Sequence, residues 1–222
     1  MSREYYDLML ERKFKEVNDL ANSAYLVSGD ENDLRVRANT YMFLKDYKKA
    51  LADYLKIIQI TKPENKFDGN YIDAGIAYWL LGCKDEAVLA WKDGLKFIKY
   101  TSNIVNVPAV LFFASVYLKD MKLLNLANSY LKKRWKNRIP TAGFLLGEMT
   151  KDELLGSVTK QPILRERELC KVYFYIASNC LQKNDFDGYK NYLKECIAVE
   201  GRFLEFEYHL AVGELVKIDK TK

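Results

Sequence analysis

The sequence predicts an all-α fold of consecutive helical hairpins, and three observations predict it. First, an apolar pattern occurs twice, 37 residues apart. Its first copy is Leu34, Ala38, Tyr41, Ala50 and Tyr54, with Pro63 after it; its second is Tyr71, Gly75, Tyr78, Ala87 and Trp91. Both copies step by 4, 3, 9 and 4 residues, and steps of three and four keep side chains on one face of a helix. Second, helical periodicity runs from end to end without lasting strand-like alternation. Third, 4 Pro and 11 Gly in 222 residues are too few turn formers for a sandwich or barrel.

The elements follow in order. Residues 4–27 read as a short helix and a longer one from near Phe14. In the longer one Phe14, Val17, Leu20, Ala21 and Ala24 make one apolar face. Ser28-Gly29-Asp30 closes this degenerate first hairpin, about 4–28, and Asp33 is placed to cap the next helix. Residues 32–44 and 47–61 form the first clear repeat, about 31–64, with Leu44-Lys45-Asp46 as its turn. Lys62-Pro63-Glu64-Asn65 ends it, since proline cannot continue a helix. Residues 70–81 and 84–99 form the second, about 68–101, with Gly82 at a turn where glycine adopts positive φ freely.

Residues 107–119 and 121–136 make a looser hairpin, about 107–136. Leu126 falls where its small residue belongs, and Ala127 comes one place later. Residues 137–160 break the period. Thr150 with Glu153 three residues on is a capping box, which makes this stretch a short extra helix or a linker. Residues 164–183 and 186–199 make the last hairpin, about 164–199; Tyr189 stands where a small residue is usual, so this pair must splay or pack differently. A final helix, 203–216, with charged residues on its outer side, caps the stack. Residues 1–222 are expected to form one domain.

The doubled pattern resembles the tetratricopeptide repeat (TPR), W-x2-L-G-x2-Y, then A-x3-F, then P. The resemblance implies an α-solenoid, a right-handed superhelix of hairpins whose first helices build a concave groove. Trp135–Leu215 further resembles the C-terminal half of bacterial TPR proteins of the lipoprotein type. The matching residues are Gly143-Phe144-Leu145-Leu146-Gly147-Glu148-Met149-Thr150, Phe174-Tyr175-Ile176-Ala177, Asn184-Asp185-Phe186-Asp187, and Glu207-Tyr208-His209-Leu210-Ala211 with Glu214-Leu215. This likeness implies a non-catalytic adaptor of bacterial origin, although the lipobox and signal sequence of that family are missing here.

On the implied concave face, the clear repeats offer Arg35, Asn39 and Met42, then Ile72, Asp73, Ile76 and Trp79. The looser repeats add Leu111, Ser115 and Leu118, then Phe174, Tyr175 and Ser178. Some TPR proteins clamp a peptide carboxylate with Lys, Asn and Arg at such positions. Arg35 and Asn39 fit that scheme, but Asp73 would repel a carboxylate, and Pro108 and Phe112 replace the third repeat's cations. Trp79 reads equally well as a seam residue between hairpins. A second candidate is the basic run Lys132, Lys133, Arg134, Lys136 and Arg138 around Trp135. Cations also favour a helix C-terminus, where the dipole is negative; with a function, the run suits an acidic protein surface or phosphates with a stacked base.

Composition narrows the function classes. The net charge of +5 permits an acidic partner without demanding nucleic acid. Cys83, Cys170, Cys180 and Cys196 have no CxxC spacing, and His209 is the sole histidine. Free thiols are therefore expected, with no metal and no cofactor. No P-loop, GxSxG or HExxH occurs. His209 reads as a packing residue, and Glu205 and Glu207 are expected on different sides of the last helix. No apolar run reaches the roughly 18 residues of a membrane span. The N-terminus MSREYYDLMLERKFKEV is charged throughout, unlike a signal or transit peptide, so the expected location is the cytoplasm. The expected function is non-enzymatic: a protein–protein interaction module, adaptor or scaffold, holding a protein or peptide partner. The alternatives are a bacterial immunity protein that neutralises a cognate toxin, and an RNA-binding helical repeat acting through the basic run.

Overall fold

The computed structural model describes residues 3–98, 105–199 and 205–220. Among these there are thirteen α-helices and no strand, and the fold is all-α, a series of helical hairpins. The chain divides into two compact units, Met1–Ile98 and Lys99–Lys222.

The first unit holds α1 (Arg3–Leu10), α2 (Phe14–Ser28), α3 (Glu31–Phe43), α4 (Tyr47–Ile60), α5 (Asp68–Leu80) and α6 (Lys84–Gly94). Each packs on the next. The cap of α3 is Asp30, not Asp33: its carboxylate accepts from the Asn32 N–H at 2.7 Å. Asp33 lies inside the first turn and accepts instead from the Tyr5 and Ser28 hydroxyls. The predicted apolar face of α2 is covered only in part. Val17 and Ala21 are fully buried, whereas Leu20 is 41 % exposed. On a 3.6-residue helix, residues 20, 24 and 27 lie on the flank of that face next to 17 and 21.

The small residues of the repeat do what their spacing implies. Ala38, Ala50 and Ala87 have no exposed surface. Gly75 lies under the Trp91 indole so closely that a Cβ there would collide with the ring; the indole N–H donates to the Ile72 carbonyl at 3.2 Å. Arg37 ties three helices together. It forks onto Asp53 of α4 at 2.7 and 2.8 Å and donates to Asn22 of α2 at 2.6 Å. Helix α6 stops at Gly94 and tightens into a 3-10 turn, Leu95–Phe97, short of the predicted end at 99. Ala87→Leu is expected to overpack the α5–α6 seam at a cost of about 1–3 kcal/mol. The check is the urea midpoint, and an unchanged midpoint would show that Ala87 does not set the approach of these helices.

The second unit holds α7 (Asn106–Leu118), α8 (Met121–Trp135), α9 (Pro140–Leu145), α10 (Lys151–Gly156), α11 (Pro162–Gln182), α12 (Phe186–Ala198) and α13 (Phe206–Lys220). Helix α7 packs on α8, α11 on α12, and α12 on α13, while α9 and α10 rest on α11. Ala127, not Leu126, occupies the close-packed position of α8 and is fully buried. The period-breaking stretch forms two short helices, and Thr150 and Glu153 make the predicted capping box. Tyr189 is accommodated as a core residue with its hydroxyl 3.4 Å from a Glu214 carboxylate oxygen. Phe203 and Leu204, the predicted start of the last helix, lie outside the described residues. That helix does not turn all its charges outward: Glu207 is 0 % and Glu214 2 % exposed.

Candidate partner-binding surfaces

The α3–α5 face of the first unit is polar at its surface and apolar beneath. Arg35, Asn39 and Asp73 keep partial exposure. Met42, Ile72, Ile76 and Trp79 are buried, which corrects the expectation that they face a partner. Trp79 is tilted against Trp91, with ring centroids 5.6 Å apart. The Lys84 ammonium lies 3.5 Å from its ring centroid and donates to the Trp79 carbonyl. The reason is geometric: helices packed on both sides leave only a narrow strip of α3 and α5 open.

Within that strip Arg35 is already engaged. It meets Glu31 at 2.9 Å and Asp73 at 3.9 Å, and its guanidinium lies over the Phe67 ring. Surrounding protein desolvates the Asp73 carboxyl and pushes its pKa up to about 6, against the opposing pull of Arg35. Asn39 accepts from the Tyr54 hydroxyl at 2.8 Å. Two carboxylates on one guanidinium leave no free cation for a ligand carboxylate. The strip suits hydrogen-bonding contact rather than a carboxylate clamp.

The residues added from the looser repeats are mostly interior. Leu111, Phe174 and Ser178 have no exposed surface, Tyr175 and Ser115 almost none, and Leu118 alone is open, at 38 %. In the basic run Lys132, Lys133, Lys136 and Arg138 are exposed, but Arg134 is buried. Residue 134 shares its helix stripe with Ala127 and Leu131, which are core residues, so four of the five predicted cations form the surface. None of the four forms an ion pair with a described residue. Trp135 is a packing residue: its ring covers Gly143 of α9, and the Arg138 guanidinium lies over it, 5.1 Å from the centroid.

Sequence reading missed a buried ionic cluster in the second unit. Glu205 and Glu207, expected on opposite sides of a helix, both turn inward because Glu205 precedes α13 rather than lying on it. Arg167 and Lys171 of α11 both pair with Glu205, the latter at 2.9 Å. The Tyr175 hydroxyl donates to Glu207 Oε1 at 3.0 Å, and Glu207 Oε2 has no hydrogen-bond partner. Burial, with some repulsion from Glu205, raises the Glu207 pKa to about 7 against the pull of Lys171. The Cys170 and Cys196 thiols touch beside it at 3.5 Å without a bond. The spacing of Arg167, Lys171 and Tyr175, at i, i+4 and i+8, was a signal that one face of α11 carries polar groups inward. Burial lowers the His209 pKa to about 4, so its imidazole is neutral at pH 7. A cavity of about 380 Å³ opens beside the cluster. The charged groups on its wall are already satisfied, Glu168 by the Thr159 N–H and Lys171 by Glu205.

Fold and surfaces together define an all-α helical-hairpin protein. No protein-family model matches the chain, and no curated protein matches it. Among solved structures it is similar to the C-terminal part of a TPR repeat-containing protein from Cytophaga hutchinsonii, at 14 % identity and a TM-score of 0.38. That match covers 89 % of this chain and 95 % of the other. Among the described residues no helix is long and apolar enough to cross a membrane.

Proposed function

We propose that this chain is a non-enzymatic protein-binding module that holds an acidic partner on the cationic end of α8. The observation that carries this reading is the set Lys132, Lys133, Lys136 and Arg138, exposed within seven residues and without a carboxylate partner among the described residues. Such a cluster steers an acidic surface toward it and fixes its register. Part of the cationic preference belongs to the helix itself, whose C-terminal carbonyls favour positive charge within the last turn. Lys136 and Arg138 lie beyond that turn, since α8 ends at Trp135. A protein surface is favoured over RNA because the Trp135 ring, packed on Gly143 and covered by Arg138, offers no open face for a base.

Reversing three exposed charges, Lys132→Glu, Lys133→Glu and Lys136→Glu, is expected to weaken acidic-partner binding by about tenfold or more, mainly through the association rate. Anisotropy titrations against fluorescent poly-glutamate and poly-uridine RNA, at low and physiological salt, check this. Retained poly-glutamate affinity in the triple variant would overturn the assignment of the surface. Tighter binding of RNA, with a linear log–log salt dependence, would overturn the choice of partner. Pull-down with mass spectrometry, comparing wild type and variant, then identifies the partner.

A further inference from the structure

We propose that the groove between α1 and α2 docks an amphipathic helix whose apolar face is flanked by lysine or arginine. The groove opens to about 570 Å³ and is floored by Leu20, Ala24 and Val27 of α2. These residues recur at i, i+4 and i+7, the stripe a partner helix packs into by seating its own side chains between them. The neighbouring stripe of α2, Val17 and Ala21, is already buried. The apolar face of α2 is therefore wider than the part its neighbours cover, and its flank in the groove is open: Leu20 is 41 % and Val27 91 % exposed.

Charge selects the flanks of the occupant. Glu4 and Asp33 line the groove, and no lysine or arginine does. The Tyr5 and Ser28 hydroxyls hold the Asp33 carboxylate in place at 3.2 and 3.1 Å. Residues 1–33 carry eight carboxylates against four cations, in a chain whose net charge is +5. A cationic peptide is repelled by the chain as a whole and attracted by this hairpin, so its binding reports the groove. This surface lies in the first unit and is independent of the α8 cations in the second.

The probe is a fluorescent helical peptide of leucine and lysine, about 15 residues long, titrated into the full chain. Controls of the same pattern replace every Lys by Glu, or every Leu by Ser. The Leu/Lys peptide is expected to bind, and both controls at least about tenfold more weakly. The double variant Leu20→Ser, Val27→Ser should lose about tenfold or more for the Leu/Lys peptide while keeping its helical circular dichroism and thermal midpoint. The triple α8 charge reversal should leave this affinity intact. Equal binding by wild type and double variant, or by the Leu/Glu peptide, would overturn the proposal. So would a dimer in sedimentation equilibrium, or binding to phosphatidylglycerol vesicles, that the double variant abolishes while peptide binding is absent.

Discussion

Trp79→Ala is expected to lower the stability of the Met1–Ile98 unit by about 3–5 kcal/mol, the usual cost of emptying a large aromatic site in a core. The indole has no exposed surface, it packs on Trp91, and it carries the Lys84 ammonium on its face. Truncation leaves a cavity beside Trp91 and strips Lys84 of a cation–π contact. Helix α5 is held on the same side by the Trp91 N–H bond to the Ile72 carbonyl, so the seam cannot collapse freely to fill the space. The measurement is the urea midpoint of the full chain. Partner affinity, read well below that midpoint, should stay at its wild-type value. A variant with unchanged stability and lost affinity would restore Trp79 as a binding anchor.

Glu207→Gln is expected to stabilise the Lys99–Lys222 unit at pH 8 and to do little at pH 5. Burial raises the Glu207 pKa from 4.5 to about 7. The folded state therefore holds this proton more tightly than the unfolded chain does. The native advantage of the protonated acid is complete below pH 4.5 and is lost as pH rises through about 7. Above that the wild type buries a carboxylate whose Oε2 has no partner. Glutamine keeps an acceptor for the Tyr175 hydroxyl and does not titrate, so any fixed cost of its amide cancels between the two pH values. The pH-dependent gain should be on the order of 2–3 kcal/mol, since each tenfold change in proton affinity is worth about 1.4 kcal/mol. Urea midpoints of both proteins at pH 5 and pH 8 decide it. An equal difference at both would mean that Glu207 titrates normally.

The helices and most of their ends were legible in the sequence. Gly82 takes positive φ, and Thr150 with Glu153 forms its box, because these choices involve residues only a few positions apart. The small residues Ala50, Gly75 and Ala87 were legible for a related reason. A close approach between paired helices excludes large side chains, and the exclusion recurs with the repeat.

The candidate surfaces were legible only in part. The sequence located the basic run but counted Arg134 in it, and it located the strip of Arg35, Asn39 and Asp73 but added four residues that are core. Helical periodicity tells which residues share a stripe; it does not tell how many stripes the neighbouring helices will cover. Met42, Ile72, Ile76 and Trp79 lie on covered stripes, and Leu20, Ala24 and Val27 lie on an open one. Both sets are apolar, so composition cannot separate them.

By itself, then, the sequence determined an all-α chain of helical hairpins, the turns between them and the close-packed positions, all properties of local spacing. The tertiary structure alone decided that Glu205 and Glu207 face Arg167, Lys171 and Tyr175 across 30 residues or more of chain, and that one flank of the apolar face of α2 stays open. Those depend on which elements meet and at what angle. Burial turns such meetings into free energy, since a carboxylate costs little in water and several kcal/mol in an interior.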